Sequence, residues 1–184
     1  MGDLLRYRRT QCAPRPTFES FGASTRFRLQ IGLFPRCEQS FGSPHHYVQG
    51  RRYRLDIVAT EGRQSVALRD ASTLELRLHP DTSAAEREQL LQRWYRRLLR
   101  PQVAELIAKW EPILGVEVAD WGIKKMKTRW GTCNTEAGRI WINLELAKKS
   151  PACLEYIVVH ELVHRIERRH NDQFRELMDR HLPQ

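Results

Sequence analysis

Three histidines and one glutamate fall within eleven residues of the run YIVVHELVHRIERRHNDQF: His160, Glu161, His164 and His170. On an α-helix, positions i and i+4 stack on one face, so His160 and His164 can offer two ring nitrogens to one cation. Imidazole binds zinc at about 2.0–2.1 Å. Glu161 is turned about 100° from His160. Its carboxylate can lean over an open coordination position instead of ligating, which is where a general base for a water nucleophile belongs. His170 lies six residues past His164 and points to the far side of a straight helix. For it to supply a third nitrogen, the helix has to end near Arg168 and turn back, and Asn171 and Asp172 suit such a turn. Three protein ligands and one open position are the pattern of catalytic zinc. The spacing therefore predicts Zn2+ held by His160, His164 and His170, with Glu161 as the base. The bland alternative is packed or exposed histidines beside a solvated carboxylate.

Such a site needs a rigid frame. Ser150-Pro151 reads as an N-cap followed by proline at the first helical position, opening a helix whose residues Leu154, Ile157, Val158 and Leu162 are apolar on several sides. Phe174, Leu177, Met178 and His181 mark a closing amphipathic helix. Upstream, Ser83 with Glu86 matches a capping box, and the helix it opens is expected to run to about Leu99. Pro101 is expected to start a second helix carrying Val103, Leu106, Ile107, Trp110 and Leu114. Tyr53–Val58, Ser65–Leu68 and Leu74–Leu78 read as a small antiparallel sheet. Residues 116–128 and Arg139–Asn143 read as a hairpin with a long connection, the loop starting at Trp130-Gly131, and Leu144–Lys149 as a helical turn. His45, His46 and His79 read as surface residues. The fold class is α+β, a small antiparallel sheet packed on helices that include the one bearing the H-E-x-x-H pattern.

Composition bounds the rest. With 184 residues, 41% hydrophobic and 29% charged, the chain is long enough for one domain with a real core. It has no apolar run near eighteen residues, so no membrane association is expected. No secretory leader pattern opens it, so a cytoplasmic location and free thiols at Cys12, Cys37, Cys133 and Cys153 are expected. The net charge of +9 is uneven: residues 1–54 hold ten arginines against Asp3, Glu19 and Glu38, and so carry +7 of it. That segment can bind phosphate backbones, can be a solvated tail, and has the Arg-rich, acid-poor look of a transit peptide. Residues 1–40 are expected to form an irregular basic segment, apart from a short strand at Phe27–Leu33, with the functional domain over 41–184.

Four blocks in order, the strand YVQGRRYRL, then RWGTCNTEAGRIWINLEL, SPACLEYIVVHELVH and HNDQF, resemble the YgjP-like family of metal-dependent hydrolases, which is similar to the SprT and WLM zinc peptidases. The resemblance covers residues 41–182; ahead of Phe41 the pattern departs from the family. It implies a zincin-like fold, zinc on the three histidines, Glu161 as the base, and a strand above the active-site helix that takes extended substrate by edge pairing. Within RWGTC, Arg129 can stabilise an oxyanion or bind a substrate anion, or can be a salt bridge fixing the loop. Trp130 and Gly131 are read as turn residues, and Cys133 is left out of the ligand set. Tyr156, one turn before His160, either donates to the reacting group or packs. Asn143 is a candidate hydrogen-bond partner behind the ligands.

Three functions are compatible with these residues. A zinc peptidase would act on peptide or protein. A zinc hydrolase of a small molecule such as a nucleoside triphosphate would use Lys124, Lys125, Lys127 and Arg129. A binding module would keep structural zinc and touch nucleic acid through the basic N-terminal segment. A carboxylate beside an open position favours the enzymes.

Overall fold

The computed structural model describes residues 45–182, so the readings made for residues 1–44 lie outside the described part. Its elements are two small sheets and three α-helices, an α+β arrangement.

The first sheet opens with a hairpin. Strands β1 (His45–Val48) and β2 (Arg51–Ala59) pair antiparallel across Gln49 and Gly50, whose φ angles of 49° and 80° make the left-handed two-residue turn that matches strand twist. β3 (Ser65–Leu68) and β4 (Thr73–Leu78) form a second hairpin, its turn held by Asp70 accepting from the backbone and hydroxyl of Ser72. The two hairpins join through a parallel β2–β4 pair, giving the order β1-β2-β4-β3. The sheet is thus mixed, not antiparallel throughout. The link 60–64 is too long for a tight turn, so β3 goes to the far edge and β4 returns to β2's side. Leu74, Leu76 and Leu78 alternate into the core while Arg77 faces out.

Helix α1 (Ala84–Leu114) has the expected capping box but does not stop at Leu99: it runs 31 residues with Pro101 and Pro112 inside. Both prolines lie on the exposed side, and just past Pro101 the side chain of Gln102 donates to the Leu98 carbonyl at 2.6 Å. A buried stripe of Leu91, Tyr95, Leu99, Val103, Ile107, Trp110 and Leu114 crosses Pro101 without a break. That shared core contact holds the two predicted helices as one. Gly115 ends it in a left-handed conformation, φ 65°.

The second sheet also departs from the expected hairpin. β5 (Asp120–Lys124) runs parallel to β7 (Arg139–Asn143), and the predicted loop contains a third strand, β6 (Gly131–Asn134), antiparallel to β7. The order β5-β7-β6 leaves β6 at an edge. Two reversals replace one. The first, around 126–129, is tied by Asn143; at the second, Asn134 accepts from the Glu136 and Ala137 amides and Gly138 has φ 62°. A 3-10 turn (Leu144–Lys148) follows, then α2 (Pro151–Val163), capped by Ser150, and α3 (Asp172–His181), capped by Asn171. The β1–β2 turn docks at the entry to α2: the Gln49 and Gly50 amides donate to Ala147 and Lys148. Seven consecutive residues of α2, Ile157 to Val163, are buried, so the second half of this helix is enclosed on every side. Among the described residues, no helix is long and apolar enough to cross a membrane.

Candidate metal centre

α2 carries His160 and Glu161 in its last turn and ends at Val163, earlier than the Arg168 that the sequence suggested. His164 caps it with φ −63° and ψ −16°, still right-handed, so the i, i+4 stacking with His160 survives. Beyond it the Arg165 and Ile166 amides bond to carbonyls three residues back, which tightens the chain into its reversal. Asn171 then accepts from the Phe174 amide at 3.0 Å to begin α3, and His170, just before that cap, swings over α2.

The three imidazoles converge. His160 Nε2 and His170 Nε2 are 3.1 Å apart, and one ligand atom from each of His160, His164 and His170 lies within 4.8 Å of the others. A tetrahedral ion with bonds of about 2.0–2.1 Å has ligand–ligand edges of about 3.3 Å, so the scale fits a cation. His164 Nδ1 lies 3.1 Å from the Glu167 carbonyl; donating there fixes the tautomer and leaves Nε2 with a free lone pair. His160 Nδ1 is buried without a hydrogen-bond partner. The Phe174 ring sits against all three imidazoles, with centroids 4.9, 4.7 and 4.7 Å from His160, His164 and His170.

Desolvation, strongest at buried His160 and weakest at exposed His170, favours the neutral form of these rings, the form that binds metals. The His160 pKa is pushed down to about 3 by desolvation, helped by the charges His164 and His170 would carry. His164 and His170 are also lowered, in each case chiefly by desolvation. Glu161, 5% exposed, is pushed up to about 8 by burial, with the positive charge of Arg129 opposing the shift. A carboxylate in that range can both take and return a proton near neutral pH.

The other candidates separate. Arg129 is exposed and acts on Glu161 through its charge. Cys133 is half-buried, its thiol raised by burial and by the Glu161 charge, and it stands outside the histidine cluster. Tyr156 lies 6.2 Å from His160, ring to ring. The hydrogen bonds of the Asn143 side chain go to backbone groups and not to the histidines. It accepts from the Met126 and Glu145 amides and donates to the Met126 and Arg129 carbonyls, so it knots the loop that leads into β6. His46 is buried in β1, not a surface residue. Two contributors were not read from sequence. Arg165 donates to the Thr135 carbonyl, and at 3.3 Å to that of Glu117, clamping the β6–β7 turn to the end of α2. Gly131 is the first residue of β6, not a turn residue, and its backbone lies against Glu161. A glycine inside a strand pattern is the signal that points to such close approach.

Compared with known families, the chain falls among the metal-dependent hydrolases. It belongs to the YgjP-like family: the match, described as YgjP-like, metallopeptidase domain, covers residues 30–184 and so begins eleven residues ahead of Phe41. Among solved structures, the metallopeptidase zymogen of Pyrococcus abyssi abylysin is similar, at 21% identity and a TM-score of 0.41, over 45% of this chain and 81% of that one. No curated protein matches the chain.

Proposed function

We propose that the chain is a zinc metallopeptidase in which His160, His164 and His170 hold the ion and Glu161 is the general base. The observation that carries this reading is the convergence of three imidazole nitrogens within 4.8 Å beside a buried carboxylate. When bound, zinc polarises the scissile carbonyl and makes water a better nucleophile. The Glu161 carboxylate takes the proton of the attacking water and hands it to the leaving amine. Arg129 biases Glu161 toward its ionised form while burial works against it. The Glu167 carbonyl orients His164, and Phe174 keeps water off one side of the rings. β6, at the edge of its sheet, offers unpaired backbone groups to an extended peptide.

The peptide reading is preferred to the nucleotide one because of where the cations go. Lys125 pairs with Glu88 at 2.5 Å, and Lys124 lies over the Trp141 ring at 4.6 Å. Of the four cations, Lys127 included, Arg129 is the one whose charge acts on Glu161. The nucleic-acid reading relied on residues outside the described part. Metal analysis of the purified protein, followed by incubation with a quenched-fluorescent peptide library and with nucleoside triphosphates, tests this function. Peptide cleavage that needs zinc is expected. Triphosphate hydrolysis without peptide cleavage would overturn the substrate class, and a chain that takes up no zinc would overturn the site.

A further inference from the structure

Gly131 has an ordinary backbone: the described glycines with positive φ are Gly50, Gly115 and Gly138. Conformational freedom therefore does not explain a glycine in β6, where it weakens a strand. Space does. A Cβ at position 131 would lie 2.5 Å from Glu161 Oε1, 2.7 Å from its Cγ and 2.8 Å from its Cδ. The clash reaches past the carboxylate tip into the stem, so rotating the terminal bond does not relieve it. Glu161 has little room to withdraw, because it is buried and the α2 residues around it are buried too. β6 is itself held down on that spot. Arg165 fixes its far turn, and Asn143 fixes the loop just ahead of it.

We infer that Gly131 is a positioning residue. Its missing side chain lets the β6 backbone seat on Glu161 and hold the carboxylate in the one rotamer from which it serves the reaction. This rests on the reading of Glu161 as the base. It adds that the base is aimed from above by the strand, and not only from below by its own helix.

Gly122 provides an internal control. A Cβ there would also clash, 2.4 Å from a ring carbon of Trp141, but on β5 and against a half-buried ring. Four single variants, Gly131→Ala, Gly122→Ala, Glu161→Ala and Glu161→Gln, and the double variant Gly131→Ala/Glu161→Ala, are melted without metal and assayed with zinc on the peptide library. Gly131→Ala is expected to lower Tm by roughly 5–10 °C in the native background and by under about 2 °C when Glu161 is Ala. If Gly131→Ala does not fold, the double variant should. Loaded with zinc and held below its Tm, Gly131→Ala should keep full metal content and KM while kcat falls by about 10²-fold or more. Gly122→Ala should lower Tm with kcat unchanged. An equal Tm loss in both backgrounds, a double variant that also fails to fold, or native kcat in Gly131→Ala overturns the proposal. Native turnover in zinc-loaded Glu161→Gln would instead remove the base role from Glu161, and with it the purpose of the contact.

Discussion

His46 and His160 look alike residue by residue. Both are buried, at 4% and 3% exposure, and both have ring nitrogens without a hydrogen-bond partner. Burial lowers the pKa of both. They differ in company. His160 has two more imidazoles converging on it, whereas the charge near His46 is Lys148, whose repulsion adds to its lowering. An unpaired buried nitrogen is therefore not by itself a site. What marks the candidate metal centre is several such groups aimed at one point.

Removing one group from each place should break the likeness most sharply. His164→Ala or His170→Ala is expected to lose stoichiometric zinc and all peptide cleavage, whereas His46→Leu keeps both; elemental analysis of the purified variants decides. Full zinc retention in His170→Ala would detach that residue from the centre. Next in size is Glu161→Gln, which keeps the ion and the fold but loses roughly 10²–10⁴-fold in kcat, the usual worth of a general base. Steady-state kinetics on zinc-loaded protein measures it.

A smaller effect appears in metal-free protein as pH changes. The folded-state pKa of Glu161 is raised to about 8 from 4.5, so its contribution to stability is full below pH 4.5 and is lost as pH rises through about 8. Glu161→Gln should then be the more stable protein at pH 9, by an amount on the order of 5 kcal/mol. On the acid side, His46 and His160 both have depressed pKa values, so each costs stability as pH falls below 6.5. Denaturant melts from pH 4 to 9 would expose both trends, and a flat difference between native and Glu161→Gln protein would refute the first. Smallest is the gain expected from His46→Leu, about 1 kcal/mol at pH 7, because two unpaired nitrogens are replaced by an apolar group. A loss of stability there would mean that the His46 nitrogens are satisfied in solution.

The pairing of His160 with His164 was legible because helical spacing is a local rule. The i, i+4 pair and the caps at Ser83 and Ser150 depend on neighbours a few residues away, and all appear in the structure. What could not be read depends on distant contacts. Whether Pro101 divides a helix is decided by the buried stripe that runs past it, and which strands run parallel by where the next hairpin docks. His46 was taken for a surface residue because sequence does not tell which face of β1 meets the core. Gly131 was visible as a glycine in RWGTC, but its purpose lies thirty positions further along the chain.

The Phe174 ring has one more consequence, best put in terms of chain topology. An ion held by His164 and His170 would close a loop of seven residues, 164–170, and closing a loop costs entropy. Phe174 packs on both of those rings and on His160 as well, so the same loop is already drawn shut by an apolar cross-link belonging to α3. The chain meets the cost of closure while folding, through the docking of its last helix. Under the proposed reading, an arriving ion would find its ligands gathered and would lose less of its binding energy to their ordering.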